Sequence, residues 1–250
     1  MKRLWRLPPH LIAESNVQAA AAINLTEVNA MRCVRIWFKK MGMSRYVSHL
    51  DLMRAMSRTL RRARVPLWYT EGFNPHPYMT FSLPLSLGME SLSESMDIRI
   101  EGDSTNEEIF DMLKGSMPPG IEIINVDEPH FDPKVIAYGE FDILFDCDKR
   151  ADEVKTLIED MLSRQELIVQ KLGKKGRHKV LKDINLIEFI NSYSVSSMGE
   201  RVKLTIVLPA GSVTNVNPSL LADEIVKNAG DISYTVIRKK LMTGDMTTFR

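Results

Sequence analysis

Apolar residues in this chain recur with a period of two in some segments and of roughly 3.6 in others. The switch between the two happens twice, in the same order, and that repetition limits the fold more than any other feature. Residues 31–39 alternate apolar and basic side chains and predict a strand with one wet face carrying Arg32, Arg35 and Lys39. Ser48 and Asp51 have the spacing of a helix cap, and the helix that follows should reach about Arg64, short of Pro66. Residues 66–70 predict a short strand, 71–87 a long loop and 95–101 a strand. A helix at 106–116, closed by Pro118, Pro119 and Gly120, and a strand at 121–126 complete the first round. The second round predicts a strand at 137–146, a helix at 151–164, a strand at 166–172, a basic loop at 171–182 and a short helix at 183–190. Strands at 192–197 and 201–208, a helix at 218–228 and a strand at 233–241 follow.

Each round reads βαββαβ, the second with one small insertion. The economical fold class is α+β, with two tandem ferredoxin-like units built on antiparallel sheets. They would occupy residues 31–132 and 133–250, dividing near 127–135. Residues 1–30 start basic and hold a small-residue stretch at 19–22, but Pro8, Pro9, His10, Glu14 and Asn16 break it. No run there matches the ~7–15 apolar residues of a signal-peptide core. We expect an extension or leader, poorly ordered, with the folded body starting at Met31. Two cysteines, Cys33 and Cys147, are too few for a disulfide scaffold and fit a reducing, cytoplasmic setting. No apolar run approaches the ~20 residues of a membrane span.

The net charge of +1 hides two opposed blocks. Residues 31–70 carry ten basic side chains against one acid, while 90–132 carry twelve acids against Arg99 and Lys114. Within the basic block, Arg54, Arg58, Arg61 and Arg62 fall within an arc of about 100° on a helical wheel, and Leu52, Met53, Met56, Leu60 and Ala63 fall opposite. Guanidinium groups pair bidentately with phosphate and carboxylate and stack on bases. Two readings stay open here: a phosphate-binding face, or a face neutralised by the acidic block.

The helix runs into GFNPHP. Residues 68–81 pack Trp68, Tyr69, Phe73, Tyr78 and Phe81 around His76, whose proline neighbours restrict its backbone. Such a loop can hold an imidazole for proton transfer or phosphate contact, and its aromatics suit stacking on single-stranded RNA. A purely structural turn stays open too. His76 and His49 are the histidines of this region and the catalytic candidates. Candidates for nucleic-acid contact are Arg45, Arg54, Arg58, Arg61, Arg62, Phe73, Asn74, His76 and Tyr78, joined by Lys174, Lys175 and Arg177 of the basic loop. The sequence has no CxxxCxxC, no GxGxxG followed by an acid, no P-loop and no HExxH, so no cofactor and no metal is expected from motifs.

The run RYVSHLDLMRAMSRTLRRARVPLWYTEGFNPHPYMTFSLPLSLGMESLSESMDI resembles the radical-SAM-linked family of uncharacterised proteins, DUF2344. SHLDLMR, RRA-x-x-P and GFNPHP carry the resemblance, which extends more weakly through residue 242 and leaves 1–30 uncovered. Tyr78 stands where a basic residue is common in that family. The resemblance implies a radical-SAM protein as partner and implies no activity. The first functional reading is an RNA-binding or substrate-presenting accessory protein, without catalysis of its own, serving tRNA or rRNA modification. The alternatives are an RNA-processing enzyme using His76 or His49, and a protein-only adaptor for a radical-SAM partner.

Overall fold

A computed structural model describes residues 31–175 and 178–250, with the side chains of 171–180 outside the description. The expected extension at 1–30 and candidate Arg177 therefore lie outside the described residues, as do the side chains of Lys174 and Lys175.

The elements run β1 (Arg32–Lys40), α1 (His49–Arg62), β2 (Met79–Phe81), β3 (Glu90–Ile100), α2 (Asn106–Lys114) and β4 (Ile121–Asp127). The second half holds β5 (Ile136–Asp146), α3 (Ala151–Leu162), β6 (Ile168–Lys175), β7 (His178–Asn185), β8 (Ser192–Met198), β9 (Arg201–Pro209), α4 (Ser219–Ala229) and β10 (Ser233–Thr243). This is a mixed α+β fold on one mostly antiparallel eight-stranded sheet, in the order β4-β1-β3-β10-β5-β9-β8, with β2 added on β3. The outer edge of β3 is shared. Its Met96–Ile98 portion pairs with β2, and its first residues pair in parallel with Ile237 and Arg238 of β10. That short parallel contact joins the halves.

Period-two alternation places Val34, Ile36 and Phe38 of β1 and Met96, Ile98 and Ile100 of β3 on one face. There they bury Leu52, Met56 and Leu60 of α1 and Ile109 and Leu113 of α2. A second cluster gathers Phe141, Ile143, Phe145, Leu204 and Ile206 over Val154, Ile158, Met161, Leu221 and Ile225. Each half thus has its own core beneath a common sheet.

Four local expectations are corrected. Helix α1 ends at Arg62, because Arg64 turns left-handed (φ 59°) ahead of Pro66, whose ring disfavours helical backbone before it. Residues 66–70 make isolated bridges, Leu67 to Ile100 and Tyr69 to Pro77, rather than a strand. The basic loop is a β-hairpin, β6 with β7, because eight successive pairs keep register up to Lys175 and His178. The short helix at 183–190 shrinks to a 3₁₀ turn, Leu186–Phe189, started by Asn185. Among the described residues, no helix is long and apolar enough to cross a membrane.

Candidate nucleic-acid interface

The arginine helix begins at Ser48, whose hydroxyl oxygen accepts the Asp51 amide. The same hydroxyl donates to the Asp51 carboxylate at 2.7 Å. Ser48, with Arg54 and Arg58 adding charge, holds the Asp51 carboxyl below the usual carboxylate range. The core face of α1 fixes the opposite face by default, so Arg54, Arg58, Arg61 and Arg62 all stand exposed. Arg54 meets Asp51 at 3.2 Å, an exposed pair of little energetic weight. Arg61 lies 5.8 Å from the Tyr69 ring centroid, and Arg62 donates to the Ser116 carbonyl. Among the described residues no ion pair joins Arg58, Arg61 or Arg62 to an acid.

Among the described residues no acid of 90–132 pairs with this stripe, and four of the twelve are engaged elsewhere. Asp97 takes Arg35 at 2.6 and 2.8 Å, Glu94 takes Arg238, and Glu122 takes Lys39 at 3.2 Å. Glu90 takes Arg45 at 3.6 Å, and Arg45 also donates to the Tyr46 hydroxyl at 3.0 Å. Arg45 therefore belongs to the joint between the halves and not to the exposed stripe.

The GFNPHP loop closes as a tight hairpin. The Thr70 amide donates to the His76 carbonyl at 2.9 Å, and the Tyr78 amide donates to the Trp68 carbonyl at 3.2 Å. Gly72 supplies the left-handed turn (φ 117°) that a side chain would resist. The His76 amide donates to Thr70 Oγ1 at 3.2 Å, and Nδ1 lies 3.1 Å from the Asn74 carbonyl. The Thr70 hydroxyl also lies 3.1 Å from Nδ1, so both contacts engage that nitrogen and leave Nε2 of this exposed ring without a hydrogen bond among the described residues. Phe73 is fully exposed at the tip, beside exposed Asn74.

Tyr78 does not join that tip. Its ring packs edge-on to Trp68 and lies 4.2 Å from the Arg99 guanidinium carbon. His49 packs edge-on against Phe81 at 5.2 Å, and no hydrogen bond among the described residues links it to His76. Loop geometry thus assembles Phe73, Asn74 and His76 at one tip and the arginines on the helix leading to it. Arg61 and Tyr69 connect the two.

One group escaped the sequence reading. Arg35, expected on a wet strand face, is completely buried. The C-terminal residues fold back so that Phe249 covers it, with the ring centroid 4.7 Å from its guanidinium carbon. Lys40 is likewise buried, donating to the Val47 carbonyl at 3.1 Å, and burial lowers its pKa against the opposing pull of Glu94. The available signal was the presence of three acids, Glu90, Glu94 and Asp97, in a segment otherwise bound for the core. Cys147 is buried and Cys33 half-buried, both as free thiols. Among the described residues no three His, Cys, Asp or Glu side chains gather as a metal-ion cage.

A family model described as "Uncharacterized protein conserved in bacteria (DUF2344)" matches residues 33–218. No curated protein matches. A chain in the "Crystal Structure of a Cbf5-Nop10-Gar1 Complex" is similar at TM-score 0.45 and 10% identity, covering 86% of this chain and 50% of that one. The present chain thus spans about half of that neighbour. An unknown protein from Galdieria sulphuraria is similar at TM-score 0.25 and 10% identity, covering 83% of this chain and 98% of the other.

Proposed function

The chain belongs to the DUF2344 family of uncharacterised proteins conserved in bacteria, and from its surface chemistry we propose that it is an RNA-binding accessory protein that presents RNA to a modifying enzyme. One observation carries the reading. Four arginines stand exposed on a single helix face, free of the acidic block, and that face leads to a loop that displays Phe73 and His76. Exposed guanidinium groups hold phosphates, and an exposed ring on a backbone-restricted turn gives an unpaired base a stacking partner. The exposed His76 Nε2 can hydrogen-bond a base or a 2′-hydroxyl. The radical-SAM partner in tRNA or rRNA modification, and a cytoplasmic location, rest on the sequence resemblance and on the free thiols. We read the strand orders β4-β1-β3-β2 and β10-β5-β9-β8 as two ferredoxin-like units, 31–132 and 133–250, fused edge to edge.

Binding of single-stranded RNA, measured by fluorescence anisotropy across a salt series, tests this reading. Affinity should fall steeply as salt rises, since phosphate contacts release counterions. Affinity that is flat in salt, or capture of a stoichiometric protein with no RNA, would replace it with the adaptor reading. The outward Nε2 of His76 favours one second reading, an RNA-processing enzyme. Cleavage activity that survives both His76→Ala and His49→Ala removes that one.

A further inference from the structure

Away from the helices, on the other face of the sheet, residues of both halves line a cleft of about 600 Å³. Its size falls in the range of small-molecule sites, roughly 300–1,000 Å³. Arg35 and Asp97 form part of its lining, with Tyr78, Thr80, Phe131 and Lys134 around them. The Arg35 side chain is 1% exposed, and its surroundings are specified on two sides. Nε and Nη2 are bound by the Asp97 carboxylate at 2.6 and 2.8 Å, and Phe249 packs on the guanidinium face. Nη1 is buried with no hydrogen-bond partner. A buried donor in that condition is costly in a fold unless an acceptor meets it. Arg35 lines a cleft large enough to admit one.

Charge balance narrows what that acceptor belongs to. Arg35 is matched by Asp97, and Lys134 by Asp132 at 3.7 Å, so the cleft has no surplus cation to draw a polyanion. It offers instead one guanidinium donor, short hydroxyls, the His130 imidazole and the rings of Tyr78, Phe81 and Phe131, which suit a neutral, flat heterocycle with an accepting edge. The cleft is also next in sequence to the GFNPHP loop, since Tyr78 and Thr80 of its lining follow Pro77, which bridges to Tyr69.

We infer that this cleft takes an unpaired nucleobase, whose accepting edge meets Arg35 Nη1 and whose face lies among Tyr78 and Phe131. Uracil, with two carbonyl oxygens, is the simplest fit. The inference deepens the RNA-binding reading and rests on it for the source of the base.

The test uses the full chain and two probes: a single-stranded oligouridylate, and the same oligomer with abasic positions. Thr80 is exposed on β2 and lines the cleft, so Thr80→Trp fills the space from its rim. Ser212, also exposed in the lining, gives a second filling variant, Ser212→Trp, should Thr80→Trp fail to fold. The natural chain should favour the base-bearing oligomer by about tenfold or more. The filled variant should lose most of that preference yet keep the salt dependence supplied by α1. A preference that Thr80→Trp leaves intact overturns the inference and leaves the RNA-binding reading standing. If the chain binds no RNA, the RNA-binding reading falls and the cleft is probed with uridine alone by calorimetry. Millimolar uridine that gives no Thr80→Trp-sensitive heat then overturns the inference as well, whereas sensitive heat supports it.

Discussion

Removing charge from α1 without disturbing its core is the most direct perturbation of the proposed interface. Arg54, Arg58 and Arg61 are exposed and make no internal contact stronger than the exposed Arg54–Asp51 pair and the Arg61–Tyr69 approach. Arg62 is left alone because it closes on the Ser116 carbonyl. Seven residues separate Arg54 from Arg61, about 10.5 Å along a helix at 1.5 Å per residue. That span matches about three nucleotides at the ~3.4 Å per-strand spacing of phosphates. Three phosphate contacts on a single strand contribute about 0.7 each to the slope of log affinity against log salt, so the triple glutamine variant should lose about two units of slope. Over a fourfold rise in salt, two units amount to roughly a sixteenfold difference in how far affinity falls. Binding of an oligouridylate would be followed by anisotropy at four or more salt concentrations, with melting temperatures in parallel. The variant should melt as the parent does, within the ±0.5 kcal/mol usual for surface changes. An unchanged slope refutes the reasoning, because it places the phosphates somewhere other than this face.

Phe73→Ala should weaken RNA binding by about 1–3 kcal/mol and leave the melting temperature alone, since the ring is fully exposed; equal affinity would remove Phe73 from the interface. Arg238→Ala should destabilise by about 3–5 kcal/mol in urea unfolding, because it strands Glu94, itself buried; the Arg238→Met, Glu94→Leu pair should cost far less. Arg64→Gly should raise stability by up to about 1 kcal/mol, because Arg64 holds a φ of 59° that glycine adopts freely. Burial, and then its hydrogen bond to Asp223, lift the Tyr234 phenol from 10.0 to about 12. Its raised folded pKa gives stability that is fully present below pH 10 and lost as pH rises through about 12. Ultraviolet titration of phenolate, compared with Tyr234→Phe, reads this directly, and a Tyr234 that ionises near its ordinary value contradicts it.

The chain announced its elements where one periodic pattern decides each of them. The apolar stripe of α1 and the Ser48 cap were both legible because they depend on residues within one or two turns. The fate of Arg35 was not. Local alternation assigns it to a wet face, and its burial depends on Asp97 across the sheet and on Phe249, more than two hundred residues away. The same holds for Arg45, which is near α1 in sequence yet paired with Glu90. Tyr78 sits five residues from Phe73 but points to Trp68 and Arg99, because hairpin pairing fixes which side each residue takes. The site was therefore readable as a helix and a loop, while the partition of its residues between tip, joint and cleft required the sheet.

That partition also shows how a nearly neutral chain can present a basic helix face. The acids of β3 lie along the strand that meets both β1 and β10, where the halves join. Charges taken out of water at such a joint need partners at short range, and β1 and β10 bring Arg35 and Arg238 within reach of Asp97 and Glu94. Acid and base thus cancel in pairs at the joint, and among the described residues no acid of 90–132 pairs with the guanidinium groups of α1. The two populations differ in one measurable respect. Salt screens exposed charges over about 10 Å at 0.1 M but hardly reaches buried pairs. Raising salt should therefore release RNA from α1 well before it weakens the fold, so a salt titration can separate binding from stability without any mutation.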